Sequence, residues 1–347
     1  MAILDGYIVA HFNRYLYQLP MSFLSRPAVY LPIAILVVGL LGYVFLNAGS
    51  SPKTAAEIAS TCESLAIGET RTIPAGRFVM GSENFYREEQ PINSVSLNEF
   101  EIDIHEVTNA QFREFVDATG YVTSAERATE IGFPTNGSPV LSSVGWSFVE
   151  GASWRQPLGA ESSIDGKDHY PVVQVSLEDA RAYADWAERD LPTEAQWEFA
   201  ARGSLDQADY AWGNQLTPDG EHLANTWQGA FPIVDTADDG FKGLSPIGCF
   251  RSNGYGLYDM IGNVWEWTDD AFYPTHEYAG QRLLSDTGED LGHDPRQPDI
   301  PVGVIKGGSF LCAESYCKRY RPAARQGGDT LMGTNHIGFR TVSRGTQ

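Results

Sequence analysis

Residues 307–325 read GGSFLCAESYCKRYRPAAR. Two glycines precede a Ser-Phe-Leu run, Cys312 and Cys317 stand five positions apart, and a basic, aromatic stretch follows. The spacing C-x4-C is not the C-x2-C of a zinc knuckle or of a thioredoxin-like site, and the histidines are scattered without metal-ligand spacing. Two readings of the pair stand open. It is a disulfide closing a short loop, or it is two thiolates holding a soft, low-coordinate ion, for which Cu(I) is the natural candidate.

Around this stretch the chain is dense in rings and turns. It carries 8 Trp, 16 Tyr, 17 Phe and 35 Gly in 347 residues, which predicts a loop-rich domain whose core is filled by large rings. Helices are few and short. Thr108 with Gln111 forms a capping box ahead of Phe112, Phe115 and Val116, and Gly120 closes that helix. Ser176 with Asp179 caps a second, whose face is Ala180, Tyr183, Ala184 and Ala187. Thr193 with Gln196 caps a third, running through Trp197 to about Arg202. Residues 171–175 (PVVQV) read as a strand. The sum is one mixed α+β domain with much irregular backbone over residues 68–344. Loops this long in a compact domain carry a site or bind ions.

Net charge is −21, which disfavours a phosphate backbone as partner, and no basic stripe is present: nucleic acid is excluded. Residues 28–48, AVYLPIAILVVGLLGYVFLNA, are long and apolar enough for one transmembrane helix. Arg14 and Arg26 precede it, so residues 1–27 are expected in the cytoplasm and the C-terminal domain on the exported side, periplasmic, extracytoplasmic or lumenal. A cleaved signal peptide is the rival reading, disfavoured by the length of the apolar run and of the segment before it. Residues 49–67 read as a linker, and Cys62 within it as incidental.

Seven stretches in order resemble one family: IPAGRFVMGS (residues 73–82), EVTNAQFREFVDATGY (106–121), LPTEAQWEFAARG (191–203), YAWGN (210–214), GLYDMIGNVWEWT (256–268), the stretch quoted first, and IGFR (337–340). They look like the formylglycine-generating enzymes, or sulfatase-modifying factors, across residues 68–344. The resemblance implies a variant of the C-type-lectin-like fold with little regular secondary structure. It also implies an oxidoreductase, using O2 and copper, that turns a cysteine in a CxPxR segment of a sulfatase into formylglycine. Relatives on the same fold include inactive paralogues, iron-dependent sulfur-transfer enzymes and parts of surface machinery, so a non-catalytic binding or envelope scaffold module is the alternative. The iron-dependent enzymes carry an additional helical domain that is missing here.

Residue by residue, the resemblance implies that Cys312 and Cys317 hold Cu(I) in a near-linear site which the substrate thiolate joins. Hydrogen abstraction from the substrate Cβ then gives a thioaldehyde that water hydrolyses. Ser309 and Trp265 match residues on the oxygen side of the copper. One structural calcium is implied at Asn225, Thr226, Asp239 and Phe241, a second at Asp259, Gly262, Val264 and Glu266, with Asp259 standing where Asn is usual; oxygen donors on irregular loops suit this ion. Trp154 matches an aromatic of the substrate groove and Tyr316 is placed in the same pocket. His336 replaces the Asn expected before IGFR.

Overall fold

The computed structural model describes residues 62, 65–142, 145–276, 288 and 290–344. The expected membrane span at 28–48, with the segment before it, lies outside the described residues; among those described, no helix is long and apolar enough to cross a membrane.

Capping chemistry sets the three α-helices found among the described residues. α1 (Asn109–Thr119), α2 (Leu177–Trp186) and α3 (Glu194–Arg202) each begin with a complete capping box, Thr108/Gln111, Ser176/Asp179 and Thr193/Gln196. Each box satisfies N–H groups that would otherwise lack partners, a contribution of about 1 kcal/mol per helix. α1 and α3 end on left-handed glycines, Gly120 and Gly203.

The strands are short and pair at long range. β1 (Thr70–Ile73), β4 (Phe100–Asp103), β12 (Val342–Ser343) and β7 (Arg189–Asp190) form one four-stranded sheet in that order. β10 (Arg325–Asp329), β9 (Val302–Lys306), β8 (Trp265–Ala271) and β11 (Ile337–Gly338) form the second. β2 (Gly76–Met80) with β3 (Asn93–Leu97), and β5 (Gly137–Ser142) with β6 (Gly145–Glu150), are antiparallel pairs. Among the described residues the rest is loop, as the glycine content predicts, apart from three short 3-10 helices at Arg87–Glu89, Ala128–Ile131 and Pro218–Gly220.

Residues 171–175 do not form the expected strand. Gln174 adopts a positive φ of 62°, which breaks the extended run. The segment's backbone bonds to three separate partners instead: Val172 donates to Val107, Gln174 to Thr334, and the Val175 carbonyl accepts from the Trp267 indole. A β-like composition was there, but tertiary partners replaced the ladder.

Rings fill the core. Phe112 on α1 stacks on Tyr183 of α2 and meets Trp154 and Phe339 edge-on. Beside this apolar centre runs a buried charge network. Lys306 on β9 lies 3.0 Å from Glu198 and 3.4 Å from Glu194, both on α3, and Arg325 on β10 pairs with Glu194 at 2.7 Å. Burial alone would push Glu194 up; Arg325 and Lys306 outweigh it and hold the carboxyl well below its usual range. Charges so desolvated persist only when paired, so this network specifies how α3 sits on the second sheet.

Candidate active site

β9 ends at Lys306, and the chain then turns through Gly307 and Gly308, both at positive φ. A Cβ on Gly308 would lie 2.8 Å from the Tyr320 nitrogen, so only glycine lets the outgoing and returning backbones approach this closely. Ser309 follows, fully buried; its carbonyl accepts from the Cys312 N–H at 2.8 Å and its hydroxyl from the Leu311 N–H at 3.3 Å. Cys317 N–H closes the next turn on the Ala313 carbonyl.

These turns bring the two thiols together. Cys312 and Cys317 are free, buried, and have their sulfurs 2.8 Å apart. The Cys312 S–H donates to the Cys317 sulfur, which together with Arg319 brings the Cys317 thiol down to about 6. Burial holds the Cys312 proton in place, well above the ordinary thiol range. The pair thus carries one proton near neutrality: Cys317 is the thiolate. Both the backbone N–H and the guanidinium of Arg319 face that sulfur. Arg319 is in turn held by Glu88 at 2.5 Å and by the Tyr86 ring, 3.9 Å from its centroid.

Two buried sulfurs, one already ionised, suit a soft monovalent ion. Among the described residues no group of three His, Cys, Asp or Glu side chains could hold a metal, so hard or borderline ions find no all-side-chain cage here.

Trp265, the first residue of β8, is buried in the same cluster as both cysteines, and its N–H donates to the His336 carbonyl at 2.9 Å. His336 is itself buried, which lowers its pKa to about 3 and keeps the ring neutral; its Nδ1 meets the Thr334 hydroxyl at 2.7 Å. Tyr316 is 63% exposed and lies on Phe231, ring centroids 4.3 Å apart and 15° from parallel. Phe231 meets Trp227 edge-on, and Trp227 donates its backbone N–H to the Cys312 carbonyl.

Trp227 separates two clefts. One, of about 500 Å³, is lined by Phe310, Leu311, Phe231, Ile233, Leu158 and Asn335 among others. The other, of about 660 Å³, is lined by Glu314, Ser315, Lys318, Tyr320 and Trp212. The cysteine loop forms part of both walls. A cleft of about 920 Å³ around Arg113, Asp117, Arg155 and Glu161 touches none of residues 307–320.

Trp154, expected to be a groove aromatic, is buried in the wall of the 920 Å³ cleft and lines neither of the two clefts beside the cysteine loop. It has no exposed surface, because Phe112 covers its ring on one side and Arg155 stacks over it. Trp146 is half exposed and packs on His336, ring centroids 5.3 Å apart. The sequence offered no signal for choosing Trp146 over Trp154, since exposure is decided by the β5–β6 hairpin. Phe231 and Arg319 were missed for the same reason.

The expected calcium donors divide. Around the first set, the Thr226 carbonyl and hydroxyl and an Asp239 oxygen all converge on one atom, the Gln228 Nε2, which lies 2.8 Å from Asp239. Oxygens converging on one point fit a cation in place of that amide. Asn225 uses its amide N–H on Gly243 and Asn263, and Phe241 donates its N–H to Asp239. In the second set, Asp259 Oδ1 is buried with no partner, and Glu266 is paired with Arg340 through both oxygens, at 2.7 and 2.8 Å, with the Trp197 indole donating to one of them. Gly262 and Val264 lie on the turn and strand start between these two side chains.

Cys62, expected to be incidental, is joined to Cys249 by a disulfide across 187 positions. It ties the start of the domain to its middle.

The pattern of the sulfatase-modifying factor enzyme 1-like domain matches residues 54–345. The chain belongs to that family. The formylglycine-generating enzyme of Mycobacterium tuberculosis is 47% identical to this family member over 290 residues, 78% of this chain and 96% of that protein. The formylglycine-generating enzyme of Thermomonospora curvata is 48% identical over 288 residues, 78% and 92% of the two chains. The structure of PvdO from Pseudomonas aeruginosa superposes with a TM-score of 0.56 at 22% identity, over 79% of this chain and 93% of that one, a likeness of fold.

Proposed function

We propose that this family member oxidises a cysteine in a CxPxR-type segment of a sulfatase to formylglycine, with O2 as oxidant and Cu(I) held by Cys312 and Cys317. The observation that carries the reading is the pair of adjacent, buried, unbridged sulfurs in a loop that walls two clefts. Copper bound there supplies the one-electron and dioxygen chemistry that side chains lack.

The chain's own residues do the rest. Cys317 offers a thiolate without an external base, and Arg319 balances its charge. Burial by Trp265 and Tyr320 keeps water from the sulfurs. Ser309 supplies a hydroxyl that can donate to a reduced oxygen species. Tyr316 on Phe231, with Trp146 over His336, offers apolar faces to an extended peptide entering the 500 Å³ cleft. The substrate cysteine loses two electrons and two hydrogens, one from Cβ and one from its thiol, to give a thioaldehyde, and water replaces the sulfur, which leaves as hydrogen sulfide. Dioxygen takes four electrons to become water, so the other two come from an external reductant.

Structural calcium at Asn225, Thr226, Asp239 and Phe241 belongs to the same proposal, supported by the oxygens converging on the Gln228 amide. So does an exported position behind a membrane anchor at 28–48, supported by that segment's apolarity and by a disulfide that needs an oxidising compartment.

The test is mass spectrometry of a CxPxR peptide incubated with the chain, copper, O2 and a reductant. The expected product is about 18 Da lighter, the change from thiol to aldehyde. An unchanged peptide, with no cysteine-dependent uptake of Cu(I), would instead favour a binding scaffold.

A further inference from the structure

The apolar cleft of about 500 Å³ beside the cysteine loop differs in charge from the rest of the molecule. The chain carries a net charge of −21, yet among the described residues no Asp or Glu lines this cleft. Its charged side chains are Lys167 and Lys242. The other two clefts are mixed. Glu314 and Lys318 share one and pair at 3.1 Å, while the largest sets Asp117 and Glu161 against Arg113 and Arg155. Lys167 and Lys242 are exposed and form no ion pair with a described residue, whereas Lys306 and Lys318 are both paired. The acids nearest to them in sequence are engaged elsewhere: Asp168 is held by Arg113 at 2.8 Å, and Asp239 by the Gln228 amide at 2.8 Å. Both lysines stand on anchored backbone. The Lys167 carbonyl accepts from the Asn109 amide at 2.9 Å, at the start of α1, and the Gly243 carbonyl, next to Lys242, accepts from the Asn225 amide at 2.9 Å.

We infer that Lys167 and Lys242 make this cleft selective for target segments that carry Asp or Glu beside the CxPxR core, an inference that rests on the peptide reading of the cleft given above. A carboxylate is the group that two unpaired ammonium ions complement. The apolar walls, with Phe231, Phe310 and Leu311 among them, lower the local dielectric and strengthen that attraction. Lysine brings a point charge on a flexible stem, so the pair accepts a carboxylate at more than one position of an extended peptide. The walls hold the body of the peptide and the lysines choose among peptides. The overall field works the other way, because a chain of net charge −21 attracts basic peptides. A preference for acidic flanks is therefore a signature of the local lysines and not of the bulk charge.

The test compares three peptides with one CxPxR core, flanked on both sides by Glu, Gln or Lys. The copper-loaded full chain converts them at about 0.15 M salt, where charges farther than about 8 Å are screened. KM is expected to rise from the Glu- to the Gln- to the Lys-flanked peptide, by about 3- to 10-fold per step, with kcat changing less. The double charge reversal Lys167→Glu with Lys242→Glu is expected to invert that order. Equal KM for the Glu- and Lys-flanked peptides in wild type overturns the inference and leaves the oxidation of the core standing; so does an order that the double variant keeps. Conversion of none of the three removes the oxidase reading instead. The lysines are then judged by fluorescence anisotropy of labelled peptides with Ser in place of the target Cys: tighter binding of the Glu-flanked peptide to wild type supports the selectivity, and equal Kd values overturn it.

Discussion

The Tyr316 ring lies face to face with Phe231, centroids 4.3 Å apart, although the two residues come from separate loops. Tyr316 stands between the two reactive cysteines, and Phe231 lines the apolar cleft beside them. The stack therefore couples the cleft wall to the loop that carries the sulfurs. A stacked pair of this kind contributes about 0.5–1.5 kcal/mol beyond area burial. Phe231→Ala is expected to raise KM for a CxPxR peptide by about 2- to 10-fold, with the melting temperature little changed. Steady-state kinetics with unaltered KM would remove Phe231 from peptide binding.

Proton sharing between the thiols gives a second expectation. In the reduced, metal-free chain, iodoacetamide should label Cys317 first, with a rate that is lost as pH falls through about 6. Cys312 should stay unlabelled up to alkaline pH, since burial holds its proton. Arg319→Ala should move the Cys317 midpoint upward, because a cation facing the thiolate is gone. Peptide mapping after a pH series of labelling reads all three, and Cys312 labelling first would reverse the assignment of the thiolate.

His336 leaves a signature in stability. Its folded pKa, about 3, lies below the unfolded value, so the unfolded chain takes up a proton that the folded chain refuses. Stability from this group is complete above about pH 6.5 and declines as pH falls toward 3, by up to about 1.4 kcal/mol per pH unit. His336→Asn should flatten that decline. Urea unfolding at pH 7 and pH 5 measures it; equal losses in wild type and variant would mean the ring is protonated in the fold.

The Cys62–Cys249 bridge should matter to folding more than to chemistry. Closing a loop of this length stabilises by about 2–5 kcal/mol. Cys249→Ser is expected to lower the melting temperature, and dithiothreitol to lower wild type to the same level without affecting the variant further. A variant as stable as wild type would show that the bridge closes a segment already held by packing.

Much of this was legible from residues alone. The three capping boxes located α1, α2 and α3, because a cap is a local pattern of hydrogen bonds that needs nothing from the rest of the chain. The cysteine pair was located too, but its spacing left a disulfide and a pair of free thiols equally open, and the structure decided for free thiols. Cys62 was misread because its partner is 187 positions away, a separation at which spacing carries no information. Residues 171–175 were misread because their composition suits a strand, whereas Val107, Thr334 and Trp267 claimed their backbone groups one at a time.

By itself, then, the sequence determined local matters: where helices start and stop, which glycines permit tight turns, and that two cysteines share one short loop. Tertiary structure decided which groups face one another. It buried Trp154 and exposed Trp146, placed Arg319 on the Cys317 sulfur, occupied Glu266 with Arg340, and left one oxygen each of Glu106 and Asp259 without a partner. The physical reason is range. Capping and turn preferences act over a few residues along the chain, whereas burial and charge pairing depend on which distant segments the packed core brings together.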